Sequence, residues 1–323
     1  MNSSKYVHRF ALLSLSTALI IIWFAAGTVN ADDSNAAPST AKQMASVADE
    51  KGVSGYVGSE TCKTCHDDIY TNWEKTPHWK TALDQVGGLS KQGCEGCHGP
   101  GKAHVDGGGD VTKIFTFKNV PAKTISDRCL TCHAGGAEHV NAINSVHTLN
   151  GVSCIDCHSP HHAEARDNLL VKAQPELCYT CHQQQRAQFA MPFHHRVNEG
   201  LIQCADCHNP HGTVRTKQLR TAATQDAICF KCHSDKQGPF VYEHAPVKIE
   251  GCGSCHIPHG GANMHMLRVS NVNLLCLQCH TNVPSGTGAP GTPSFHSQET
   301  FFKSCTLCHS QIHGSNFDPT LFK

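Results

Sequence analysis

All twenty cysteines of this 323-residue chain lie in C-x-x-C-H motifs. The pairs are Cys62 and Cys65, Cys94 and Cys97, Cys129 and Cys132, Cys154 and Cys157, Cys178 and Cys181, Cys204 and Cys207, Cys229 and Cys232, Cys252 and Cys255, Cys276 and Cys279, and Cys305 and Cys308. Each pair runs directly into a histidine: His66, His98, His133, His158, His182, His208, His233, His256, His280 and His309. Two thiols at this spacing can add to the two vinyl groups on one edge of a porphyrin, and the next imidazole then sits under the iron as proximal ligand. One turn of backbone delivers all three bonds. Zinc sites and redox disulfides also use C-x-x-C pairs, but neither needs a histidine after the second cysteine. With 25 histidines in the chain, ten such placements by chance have odds on the order of 10⁻¹¹. The motifs predict ten covalently bound haem c groups, each with its iron.

Ten irons need a sixth ligand or an open face, and that choice separates an electron carrier from an enzyme. Setting aside the ten motif histidines and His8, fourteen histidines remain for ten positions. Every interval between consecutive motifs contains at least one of them, and so does the tail. The set that best fills the intervals is His78, His104, His147, His161, His195, His211, His244, His259, His296 and His313, leaving His139, His162, His194 and His265 as surplus. Spacing alone does not choose between His161 and His162, or between His194 and His195. His161, His211 and His259 follow a proximal histidine by three residues. That is too short a span to carry the backbone round a porphyrin edge, so these side chains are expected to ligate a neighbouring haem. Methionine is a poor rival, with only Met44, Met191, Met264 and Met266 beyond residue 31. Paired histidine ligation predicts low potentials and leaves no face for a substrate. No catalytic constellation is evident.

The elements that must position these groups repeat. Odd-numbered motifs start at residues 62, 129, 178, 229 and 276, and even-numbered ones at 94, 154, 204, 252 and 305. A two-haem unit of roughly 50 residues therefore occurs five times, which predicts an elongated, quasi-linear array. Odd motifs carry helical signals: Pro175-Glu176-Leu177 leads into Cys178, and Thr224 and Ser270 are candidate caps. Even motifs follow Gly93, Gly151 and Gly251 and run into turns such as Asn209-Pro210-His211-Gly212. Alternating strand patterns are lacking. The expected fold is a multihaem cytochrome c of loops and short helices, with little or no sheet.

Composition agrees. Only 39% of residues are apolar, thiols included, while glycine and proline number 27 and 15. Such a chain buries little side-chain surface by itself, and folding should depend on haem attachment. Lys5 and Arg9, an apolar run from Phe10 to Ala26, and Val29-Asn30-Ala31 predict a secretory signal over residues 1–31. The run is also near the lower limit for an uncleaved membrane anchor. Residues 32–60 are expected to be a flexible segment, and 61–323 the decahaem domain. Past residue 31 the chain has 24 basic and 26 acidic side chains, which gives no basic patch for nucleic acid. Haem attachment to thiols fits an oxidising compartment such as a bacterial periplasm.

The last third resembles a known family in its residues as well as its spacing. The stretches are Cys204-Ala-Asp-Cys-His-Asn-Pro-His-Gly212, Glu243-His-Ala-Pro-Val247, Cys252-Gly-Ser-Cys-His-Ile-Pro-His-Gly260 and Cys308-His-Ser-Gln-Ile-His-Gly-Ser-Asn316. They are similar to the decahaem periplasmic cytochromes of the DmsE/MtrA type. The resemblance implies an electron carrier sheathed by an outer-membrane β-barrel porin, with an outer-surface multihaem cytochrome on one side. A periplasmic or inner-membrane electron donor or acceptor stands on the other. The alternative is a soluble periplasmic shuttle feeding a terminal reductase.

Overall fold

The computed structural model describes residues 55–84, 86–221, 224–281 and 304–322. All of these belong to one unit, Val47–Lys323. Its scaffold consists of short helical turns joined by loops. The longest described helix, Ala122–His133, has 12 residues and ends in the third motif. The described sheet is a single antiparallel pair of two-residue strands, β1 (Phe193–His194) and β2 (Gly260–Gly261). This is the loop-and-short-helix architecture expected of the sequence.

The motif has its own local structure. In eight motifs the histidine N–H donates to the carbonyl of the first cysteine, four residues earlier, at 2.9–3.0 Å. In the other two the same turn is part of the helices Gly93–His98 and Ala122–His133. One α-helical turn thus gathers two thiols and an imidazole on one side of the backbone. Capping differs in detail from the sequence signals. Thr224 precedes the 3₁₀ turn Gln225–Lys231 but makes no side-chain cap, and the turn stops before Cys232. Before Cys276 the cap is Asn271, not Ser270, and its side chain accepts from the N–H groups of Asn273 and Leu274.

A second local structure recurs after the even motifs. Asn168 and Leu169, Lys217 and Gln218, and His265 and Met266 are consecutive residues with φ between 51° and 59°. Each non-glycine residue held there costs about 1–2 kcal/mol. The turn reverses the chain, so that Leu170, Leu219 and Leu267 pair with His158, His208 and His256.

Repeats pack through the Pro-His-Gly loops. Gly212 (φ 99°) lies so close to the preceding repeat that a Cβ would fall 2.8 Å from Ser145 Cβ and 2.9 Å from the Asn141 oxygen. Gly260 meets Gln188, Phe193 and His194 in the same register. The side-chain core is thin. Among the described residues its apolar members are Tyr70, Trp73, Ile125, Leu177, Tyr179, Phe189 and Val197. No helix among the described residues is long and apolar enough to cross a membrane.

Candidate functional site

The thiols show how motifs pair. The first cysteine of each odd motif is in hydrogen-bond contact with the first cysteine of the following even motif: Cys62 with Cys94, Cys129 with Cys154, Cys178 with Cys204, Cys229 with Cys252 and Cys276 with Cys305. Before haem is attached, sharing a proton splits each of the first two pairs: the Cys62 contact draws Cys94 down to about 6, and the Cys129 contact does the same to Cys154. The same five contacts bring the porphyrin-bearing edges of each two-motif unit together. One continuous cleft of 4770 Å³ is walled by thiols from all ten motifs. That is roughly 480 Å³ per motif, within the range of pockets that enclose a large organic ligand.

The imidazoles are arranged in pairs. A metal held between two ring nitrogens at about 2.0 Å from each puts the ring centroids about 6.2 Å apart. Nine pairs of rings meet at 5.9–6.4 Å, each joining a motif histidine to one of the predicted second histidines. For the odd motifs they are His66 with His104, His133 with His78, His182 with His147, His233 with His195 and His280 with His244. For the even motifs they are His98 with His161, His158 with His211, His208 with His259 and His256 with His313. His296 lies outside the described residues, and His309 stacks on Phe322 at 4.7 Å.

The pairing has a direction. From the second unit on, odd motif histidines meet a partner from the preceding unit. Even motif histidines, through the fourth unit, meet one from the following unit. The first unit has no predecessor, and there His104 turns back onto His66. The geometry also separates neighbours that spacing leaves equivalent. His195 faces His233, whereas both ring nitrogens of His194 are engaged, by the Met191 carbonyl and by Glu199 at 2.9 Å. The Glu199 bond raises the pKa of His194. His161 faces His98, and His162 stands edge-on behind it at 6.1 Å.

Hydrogen bonds fix the ring orientations. All five even motif histidines donate Nδ1–H to a backbone carbonyl downstream: His98 to Phe115, His158 to Asn168, His208 to Lys217, His256 to His265 and His309 to Thr320, at 2.6–2.9 Å. The left-handed turns supply three of these carbonyls, and the surplus His265 contributes its backbone rather than its ring. Around four of the five odd motifs the anchored ring is the second one, whereas Nδ1 of His78, which faces His133, has no hydrogen-bond partner. His104 donates to Asp110, His147 to Pro210, His195 to Pro258 and His244 to Ile312. Such anchoring selects the tautomer with a free Nε2 lone pair. Burial holds His161 and His211 down to about 4, and pushes His78, His244, His259 and His313 in the same direction. Neutral imidazole is the form that binds a metal. Thiols, paired rings and cleft together fit haem c.

Comparisons with known proteins point the same way. The family profile described as a doubled CXXCH motif matches residues 147–187, 194–238 and 244–284. It takes an even motif with the next odd one, the opposite phase to the thiol contacts. A second profile, cytochrome c554 and c-prime, matches residues 109–159. The multihaem cytochrome MtrA of Shewanella baltica (strain OS185) is 31% identical over 292 residues, covering 86% of this chain and 85% of its own length. The chain belongs to the MtrA family of multihaem c-type cytochromes and is an electron carrier built around covalent haem c.

Proposed function

We propose that this chain is a ten-haem wire carrying electrons between the periplasm and the cell exterior through an outer-membrane β-barrel. Each iron would be held by a motif histidine and a second histidine. The observation that carries the reading is the ladder of nine imidazole pairs, most of which join one repeat to the next. Ligands handed between repeats hold neighbouring haems at fixed, short separations, which a tunnelling chain requires. By elimination, His296 completes the set at His309.

Bound haem supplies one-electron chemistry at its iron; the chain's residues do the rest. The cysteines would hold each porphyrin edge, and the paired histidines would ligate the iron through Nε2, leaving no position for substrate. Nδ1 hydrogen bonds orient at least one ring in most of the described pairs. A loop-rich backbone cannot meet lipid, because its N–H and C=O groups would go unsatisfied. Crossing a membrane therefore calls for a sheath, and a closed barrel satisfies its own backbone. An outer-surface multihaem cytochrome would take over at one end, and a periplasmic or inner-membrane redox partner at the other.

The test is reconstitution. The holoprotein and a cognate barrel, together in sealed liposomes, should pass electrons to an insoluble acceptor across the wall, while neither does so alone. Replacing Cys178 and Cys181 by alanine should stop flow without stopping assembly. Loss of the haem at Cys305 and Cys308 should leave the other nine reducible. A holoprotein that never associates with a barrel, yet rapidly reduces a soluble periplasmic enzyme, would establish the shuttle instead.

A further inference from the structure

Nδ1 anchors are shared unevenly among the described ring pairs. Most pairs have an acceptor on one ring only, and that acceptor is a backbone carbonyl whose position the fold dictates. The pair at the sixth motif departs from this. His208 donates to the Lys217 carbonyl at 2.7 Å, and His259 donates to Oε1 of Gln188 at 2.9 Å. Both rings are anchored, and the second acceptor is a side chain.

The preceding repeat shows the same register without that bond. Gln188 lies six residues after motif histidine His182, and His139 lies six after His133. Both pack beneath the Pro-His-Gly loop of the following repeat. His139 tilts against His211 at 4.4 Å between centroids, yet neither Nδ1 has a hydrogen-bond partner. His211 faces His158 as His259 faces His208. Two equivalent irons thus differ by one acceptor on the second ligand. A donated Nδ1–H gives an imidazole more anionic character and makes its Nε2 a stronger donor, which stabilises ferric over ferrous iron.

We propose that Gln188 is a positioning residue that sets the iron between His208 and His259 at a lower potential than the equivalent iron between His158 and His211. The proposal rests on the paired-histidine ligation proposed above. Its effect would be a single step of level along the wire, fixed by a side chain rather than by the haem.

The experiment is an EPR-monitored potentiometric titration of holoprotein variants with haem counted in each. Gln188→Leu should raise one midpoint, changing the reduced-to-oxidised ratio of that iron about tenfold at fixed potential, or about 59 mV for one electron. The other nine should keep theirs. Gln188→Glu, a stronger acceptor, should shift the same iron the other way. His139→Gln should lower the iron between His158 and His211. If Gln188→Leu loses haem, the latter two variants decide. Unshifted midpoints in Gln188→Glu and His139→Gln, with ten low-spin haems retained, would overturn the proposal. A wild type with high-spin iron or fewer than ten haems would overturn the ligation reading instead.

Discussion

Gly212→Ala tests whether the packing of one repeat on the next holds an iron ligand. The added Cβ would sit 2.8 Å from Ser145 Cβ, 2.9 Å from the Asn141 oxygen and 3.1 Å from Ser145 Cα. Ordinary contact begins at 3.4 Å, so the loop must retreat by about 0.6 Å. Alanine at φ 99° adds backbone strain of about 1–3 kcal/mol, and overpacking adds about 1–3 kcal/mol more. His211, the adjacent residue, moves with the loop, and a bond of about 2.0 Å to a metal does not stretch by a third. One iron in ten should turn high-spin, read by EPR on protein with a full haem count. Gly135→Ala is the control, because its Cβ would meet nothing within 4 Å and the residue lies outside the motifs and the cleft. If Gly212→Ala stays entirely low-spin and as stable as wild type, the loop does not hold the ligand in the way inferred.

Three further outcomes are expected. Intact-mass measurement should show ten haems on a chain starting near Asp32; fewer haems would break the motif count, and a start at Met1 would favour a retained anchor. Glu95→Ala should destabilise the first repeat by at least about 3 kcal/mol, because the buried carboxylate accepts from the N–H groups of Val57, Gly58 and Gly101; a thermal melt matching wild type would refute this. For pH, burial lowers His161 and His211 from 6.5 to about 4. Between those values the unfolded chain binds protons that the folded one does not, so stability falls as pH drops through that window. Optical spectra should stay low-spin from pH 7 to about 5 and change only below about 4, and a transition near pH 6 would contradict the burial argument.

Thiols and motif histidines were fully legible in the sequence, because covalent attachment demands a fixed local spacing. Candidate second histidines could be read as one per interval; nine of them lie in ring pairs with motif histidines, and His296 falls outside the described residues. Their partners could not be read, because pairing joins residues 35–63 positions apart, as His147 with His182 and His98 with His161 show. The choice of His195 over His194 needed the position of Glu199. The carbonyl anchors were invisible for a different reason: any residue has a carbonyl. Leu169, Gln218 and Met266 do not signal left-handed turns; the turns are held where their carbonyls accept from Ser159, Asn209 and Ile257 N–H and the preceding carbonyls accept from His158, His208 and His256. Helix existence at the odd motifs could be read, whereas the cap at Asn271 lay one residue from the expected one.

The directional exchange of ligands bears on how such a chain can change its length. An interior repeat receives one histidine from behind and one from ahead, and gives one each way. It can be inserted or removed as a whole without leaving any iron short, provided the cut respects the register of the Pro-His-Gly loop. The terminal units are different: His104 closes the first one on itself, so it can begin an array but cannot extend one. On the ligation proposed above, an array of this design would lengthen in steps of two haems, from the middle.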